Sequence, residues 1–364
     1  MTASGEAARR KPARRPTIKD IARRAGVSES AVSFALNDRP GVSRDTRARI
    51  RRVAEELGWQ ANSAARALSG ERAGSAGLVL ARPASTLGVE SFFLQLVSGI
   101  QEVLSARRTA LLFQVVEDLD EECALYRRWW AERRVDGVLV VDPRTEDPRP
   151  GLLASLGLPA VVVGGLPAQA SPGAATAAEP PQVSTVWADD SKAMARVIDH
   201  LHGLGHRRIV HVAGLPGLAH TARRIHSLRT EADRHGLGAH QVRSVTTDYS
   251  DAEGAEATRR ILDTAEPPTA IIYDNDVMAV AGASVAAGRG ISVPGGLSIV
   301  AWDDSALCRV THPQLTALVR DTPGFGRLAA QELLTVIDGG PPRTVHGELP
   351  HLEARESTGT PDAP

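Results

Sequence analysis

The stretch Thr17-Ile18-Lys19-Asp20-Ile21-Ala22-Arg23-Arg24-Ala25-Gly26-Val27-Ser28-Glu29-Ser30-Ala31-Val32-Ser33-Phe34-Ala35-Leu36-Asn37 leaves a folding chain few options. Thr17 can cap a first helix by accepting from its free amides, and Asp20 three residues on completes a capping box. Gly26 supplies the left-handed residue that stops that helix, and Ser28 caps the next one. Ile21, Ala22, Ala25, Val27, Val32 and Ala35 fall at spacings that turn them into one shared core, which leaves Glu29, Ser30, Ser33 and Phe34 on the outer face of the second helix. A third helix starts at the cap Ser43, carries Ile50, Val53 and Leu57 inward and ends at Gly58. The pattern is a helix-turn-helix, whose second helix enters the major groove of DNA with its N-terminal residues leading.

Charge supports that direction. The chain of 364 residues has a formal net charge of −1, but residues 1–72 hold 16 Lys+Arg against 8 Asp+Glu, so a head of +8 sits on a body of −9. A basic head on an acidic body suits a DNA-binding module attached to something that should stay off DNA. The run Arg9-Arg10-Lys11-Pro12-Ala13-Arg14-Arg15 reads as a disordered tail able to add sequence-independent phosphate attraction. Residues 62–70 read as a helix of little more than two turns. At that length a helix is marginal in water, so this one should form only when something packs against it.

Thr17 to Asn37, Pro40-Gly41-Val42-Ser43, Leu57-Gly58-Trp59 and Asn62-Ser63-Ala64-Ala65-Arg66-Ala67-Leu68 together resemble the LacI/GalR family of bacterial repressors, and the similarity runs from residue 17 to about 359. The resemblance implies a DNA-contacting set of Thr17, Ser28, Glu29, Ser30, Ser33, Phe34 and Asn37, joined from the hinge by Asn62, Ala65 and Leu68. Glu29, Ser30 and Phe34 occupy base-reading positions; a glutamate can accept from a cytosine amino group and a serine can bond to several bases. Phe34 can touch a thymine methyl or help close the helical core, and the sequence leaves both open. Leu68 sits where the family wedges a leucine between the central base pairs of a two-fold operator, kinking the duplex.

From Ala76 onward strands alternate with helices: Gly77-Leu78-Val79-Leu80-Ala81, residues 110–116, Gly137-Val138-Leu139-Val140-Val141 and residues 159–164 are compact apolar runs separated by helical patterns. Continuous apolar strands between amphipathic helices indicate a parallel sheet covered on both faces. Residues 166–182, rich in Pro, Ala, Gly and Ser, read as a surface loop and the crossing to a second half, where strands at 183–187, 208–214, 269–273 and 297–302 restart the pattern. This arrangement resembles the periplasmic-binding-protein fold that the family carries as its sensor, with a ligand held between two doubly wound halves.

The expected organisation is a tail at 1–16, a helix-turn-helix domain at 17–61, a hinge and linker at 62–73, and an effector-binding and dimerisation domain at 74–359. Its first half takes 74–182 and 320–345, and its second half takes 183–319 and 346–359.

In open α/β sheets ligands bind beyond the carboxyl ends of the strands. Asn275 and Asp303 follow two such ends and match family positions that bond effector hydroxyls, whereas Asp276 is expected to cap the following helix. Arg224 aligns with the arginine that clamps the ligand. Ser227-Leu228 replaces the glycine–aromatic pair usual after it, and Arg223 is the alternative. Tyr249 falls where sugar-binding relatives place a stacking aromatic, and Arg320 matches another cleft position.

No phosphate-binding glycine loop, nucleophile elbow or zinc spacing occurs, so no catalytic residue, cofactor or metal is assigned. His200, His202, His206 and His211 cluster loosely around a helix end and are read as structural. Cys123 and Cys308 lie far apart and read as reduced core thiols. No stretch has the form of a signal peptide or a membrane span.

The sequence therefore predicts a cytoplasmic, homodimeric regulator that binds palindromic double-stranded operator DNA and answers to a small sugar-like effector. The alternative is control by a protein corepressor or a non-sugar ligand such as a nucleoside. Dimer contacts are expected around Leu94, Val97 and Ile100. The absence of a C-terminal heptad helix disfavours a tetramer.

Overall fold

A computed structural model of the protein describes residues 16–59, 72–82, 91–166 and 182–362. The chain divides into two compact units, Met1–Glu71 and Arg72–Pro364.

The first unit is built from α1 (Ile18–Ala25), α2 (Glu29–Leu36) and α3 (Arg44–Glu56). Its core joins Ile21, Ala22 and Ala25 to Val32, Ala35, Ile50, Val53 and Ala54, all buried, with Leu57 and Trp59 packed around them. The Asp20 carboxylate reaches back to accept from the Thr17 N–H at 2.9 Å and from its hydroxyl at 2.7 Å. Gly26, at φ 70°, closes α1 in the left-handed region that a side chain would disfavour. Ser28 and Ser43 cap the next two helices by accepting from Ala31 N–H at 3.2 Å and Thr46 N–H at 3.3 Å.

The second unit alternates strands and helices around two six-stranded sheets. In chain order it runs β1 (Ser75–Ala81), α4 (Ser91–Ala106), β2 (Ala110–Val116), α5 (Leu119–Ala131), β3 (Gly137–Val140), α6 (Arg149–Leu156), β4 (Ala160–Val163) and β5 (Ser184–Trp187). It continues through α7 (Asp190–Gly203), β6 (Ile209–Ala213), α8 (Ala219–Arg234), β7 (Val242–Thr246), α9 (Asp251–Leu262), β8 (Ala270–Tyr273), α10 (Asp276–Gly288), β9 (Ser298–Ala301) and α11 (Ala306–Val310). The last elements are β10 (Thr316–Val319), α12 (Thr322–Ile337), β11 (Thr344–His346) and β12 (His351–Glu353). The sheet orders are β11-β5-β4-β3-β1-β2 and β12-β10-β9-β8-β6-β7, parallel except where β12 meets β10.

The sequence places residues 183–187 in the second half, yet β5 pairs with β4 through Val162↔Thr185 and belongs to the first sheet. Its buried Ser184 donates to Glu332 on α12 at 2.8 Å, an anchor that local composition does not reveal. The chain therefore crosses after Trp187 and not within residues 166–182. It returns near Arg320 and crosses again between β11 and β12.

Helix α12 packs on α4 at very short range. A Cβ on Gly326 would collide with the Leu96 carbonyl, so glycine there permits the backbones to approach. Leu96, Ile100 and Leu104 consequently face α12 and the first sheet. Ile100, expected at a dimer surface, lies fully in this core, whereas Leu94 is 77% exposed.

Candidate functional site

On α2, Ser28, Glu29, Ser30, Phe34 and Asn37 are exposed and Ser33 is half-buried, while Val32 and Ala35 hold the opposite face in the core. Phe34 is 39% exposed. Its ring edge runs alongside Gly41, so the residue is a surface group leaning on the loop before α3 and is not part of the buried core. Thr17 is exposed at the start of α1. Asn62, Ala65 and Leu68 lie outside the described residues.

The cleft of the second unit is lined from both halves, with Arg82, Phe92, Phe93, Asp142 and Phe325 on one side and His220, Arg224, Tyr249, Asp274, Asp276 and Asp303 on the other. It encloses about 840 Å³, including its open mouth. Arg82, Asp142, Asp274, Asn275 and Asp303 all stand just beyond the carboxyl ends of parallel strands, as the doubly wound topology requires.

A buried charge network forms the floor. Arg224 Nη1 lies 3.0 Å from Asp274 Oδ1, its Nε is 3.5 Å from Asp190, and its guanidinium lies 4.2 Å over the Trp302 ring. Asp274 also accepts from His211 Nε2 and from the Gly214 N–H, each at 2.9 Å. Burial pushes the Asp274 carboxyl up, but Arg224, His211 and the Gly214 N–H outweigh it and hold the group well below the usual carboxylate range. Arg223 turns instead to Asp190 and to the Gly164 and Gly165 carbonyls.

Tyr249 sits at φ 71°, a region in which non-glycine residues are strained. Its hydroxyl is 2.8 Å from His220 Nε2, and the Arg82 guanidinium lies 5.3 Å above its ring. Burial, reinforced by Arg224, lowers the His220 pKa to about 4, so the ring is neutral at pH 7. A histidine whose pKa is depressed on folding destabilises the native state as pH falls from about 6.5 towards 4, because only the unfolded chain takes up the proton there. The full term is on the order of 3 kcal/mol. His220→Gln should therefore flatten the decline in thermal midpoint between pH 6.5 and 4. An unchanged slope would remove His220 as its source.

Four polar atoms on this wall are buried and lack hydrogen-bond partners: Arg224 Nε, Arg320 Nε and Nη2, and Asp276 Oδ2. Arg320 Nη2 does lie 3.1 Å from Asp303, as an ion pair, and its guanidinium sits over Phe92 at 5.6 Å. Buried polar atoms are nearly always satisfied, so a set of donors and acceptors left unmet along one cleft marks a surface built for a polar ligand.

The cleft thus brings Arg224, Tyr249, Asn275, Asp303 and Arg320 together. Two roles change. The helix cap expected of Asp276 is supplied by Asn275, whose Oδ1 accepts from Met278 N–H at 2.8 Å while its Nδ2 donates to the Tyr249 carbonyl at 3.0 Å. Asn275 has the extended backbone of a cap, and Asp276 already stands inside the helix with an oxygen towards the cleft. Sequence reasoning missed Arg82, Asp142, Asp190, Asp274 and His220. The strand-end rule that selected Asn275 and Asp303 would have reached Arg82, Asp142 and Asp274 had it been applied to every strand.

The four clustered histidines do not converge. His200 meets Thr358, His206 lies between Thr269 and Gly359, His211 binds Asp274, and His202 stacks on His235. Among the described residues Asp199, Glu231 and His235 approach one another closely enough to hold a metal ion, but Arg234 bonds to both carboxylates.

Residues 17–62 match the family described as bacterial regulatory proteins, lacI family, and residues 198–358 match a periplasmic binding protein-like domain. The HTH-type transcriptional regulator CelR of Thermobifida fusca is 30% identical over 351 residues, covering 94% of this chain and 98% of that protein. A solved complex of a regulator CelR with cellobiose superimposes with a TM-score of 0.69 at 28% identity, over 94% of this chain and all of that one. The lac repressor dimer bound to operator and an anti-inducer shares the fold, with a TM-score of 0.78 at 21% identity over 95% of this chain and all of that one.

Proposed function

The chain belongs to the LacI family of bacterial regulators, and on that premise we propose that it is a repressor of carbohydrate-utilisation genes, holding a palindromic operator as a cytoplasmic homodimer and letting go when a small sugar fills the cleft. The observation that carries the ligand class is the row of unmet buried donors and acceptors, Arg224 Nε, Arg320 Nε and Nη2 and Asp276 Oδ2, beside the Phe92 and Phe93 rings. A sugar hydroxyl both donates and accepts, so it can satisfy a guanidinium and a carboxylate at once, while the ring C–H faces pack on aromatics. The role is binding and not catalysis. Among the described residues no helix is long and apolar enough to cross a membrane.

The position of α12 supports a route from ligand to DNA. Arg320, just before it, pairs with Asp303 at the end of the neighbouring strand β9, and Asp338, just after it, holds Arg72 at 2.6 Å where the linker joins the body. Sixteen helical residues span about 24 Å. A ligand that competes for Arg320 therefore acts on one end of a rigid element whose other end anchors the linker.

The test is a fluorescence-anisotropy titration of full-length protein on DNA from its own gene's upstream region, with cellobiose, other sugars and nucleosides added in turn. Converting 99% bound to 99% free requires a preference of about 5.5 kcal/mol for the released state, which two clefts per dimer can share. Release by a sugar is the expected result. Release by nucleosides alone, or by no small molecule, overturns the proposal.

A further inference from the structure

Resting on the sugar-effector reading, we propose that the cleft admits uncharged polyhydroxyl ligands and rejects their carboxylate- or phosphate-bearing counterparts, and that Asp276 is the residue that sets this selectivity. An arginine-lined cleft ordinarily suggests an anionic guest. Here every guanidinium among the described lining residues already has its carboxylate. Arg82 Nε is 2.6 Å from Asp142, Arg223 pairs with Asp190, Arg224 with Asp274, and Arg320 with Asp303. The fifth lining carboxylate, Asp276, has no arginine. Its Oδ1 accepts from the Val277 N–H at 2.9 Å, and its Oδ2 has no donor at hydrogen-bond geometry. Burial, with the neighbouring Asp303, pushes its carboxyl above the usual range, although the nearby Ser305 hydroxyl opposes that rise.

The local balance is therefore four cations against five carboxylates, with His220 neutral. A ligand carboxylate entering this space would meet no uncommitted positive charge and would lie against Asp276 and Asp303. Accepting from the open Arg224 and Arg320 N–H groups, it would share cations that Asp274 and Asp303 already neutralise and would add a second buried negative charge beside Asp276 with no cation of its own. A carboxylate or phosphate also cannot donate to Asp276 Oδ2, whereas a hydroxyl can donate there and accept from Arg224 or Arg320.

Isothermal titration calorimetry on the full-length protein at pH 7 tests this with matched compounds: cellobiose, maltose and galactose, each beside its sugar acid and its 6-phosphate. At least one neutral sugar should bind, with its acidic counterparts weaker by roughly 100-fold or more, the scale of burying a charge without a partner. In Asp276→Asn that gap should shrink at least about tenfold through a gain for the acid. Asp303→Asn, which frees Arg320, should do the same by a separate route, and thermal melts establish that both variants fold. Sugar acids binding as well as or better than the neutral sugars overturns the charge selection while leaving a sugar effector in place. An unchanged gap in Asp276→Asn removes Asp276 as its determinant. Binding of neither class overturns this inference together with the effector reading beneath it.

Discussion

Replacing Asp274 by alanine should cost about 3–5 kcal/mol of folding stability, because it strands a buried cation. Asp274 is fully enclosed and serves Arg224, His211 and the Gly214 N–H simultaneously. Without it Arg224 keeps only the more distant Asp190, at 3.5 Å, and cannot leave the interior without opening its contact with Trp302. Asp274→Asn, which retains a hydrogen-bond acceptor but not the charge, should lose less. Urea unfolding of both variants measures this. A loss below about 1 kcal/mol for the alanine variant would mean that water or Asp190 compensates Arg224 in full, and the network would then not be the fixed floor described above.

Asp303→Ala should abolish the response to effector while leaving DNA binding intact. Asp303 stands beyond the end of β9, and its carboxylate fixes Arg320, so truncation removes one acceptor for the ligand and releases one donor from its position. Losing both should weaken effector binding at least about 30-fold, or 2 kcal/mol. Neither residue belongs to the DNA-binding unit, so operator affinity without effector should remain near that of the unaltered protein. Anisotropy titrations with and without the releasing sugar read both quantities. A variant that is released normally would take Asp303 out of the ligand site, and one that no longer binds DNA would tie it to folding.

The two variants separate parts of the cleft that look alike in sequence. Asp274, Asn275, Asp276, Asp303 and Asp304 are all polar residues following apolar strands, yet they do different things. Asp274 is structural, Asn275 caps a helix, Asp276 presents an oxygen, Asp303 holds an arginine, and Asp304 binds Arg309 and Arg355 at 2.6 and 2.7 Å outside the described cleft lining. The strand-end rule names the neighbourhood. It cannot distribute these roles, because each depends on which distant side chain arrives opposite.

The same division runs through the whole molecule. Caps, a left-handed glycine, apolar runs of strand length and amphipathic spacing are interactions among near neighbours, and they are written into consecutive residues. From them follow the helix-turn-helix at 18–36, the doubly wound class of the body and the end of the sheets where a ligand sits. Tertiary structure alone decided that β5 joins the first sheet through Ser184 and Glu332, that Ile100 faces α12 and not solvent, and that four cleft arginines are matched by aspartates drawn from positions as far apart as 142 and 303. Those outcomes turn on contacts between residues tens to hundreds of positions apart, whose energies depend on burial and geometry that no local stretch encodes.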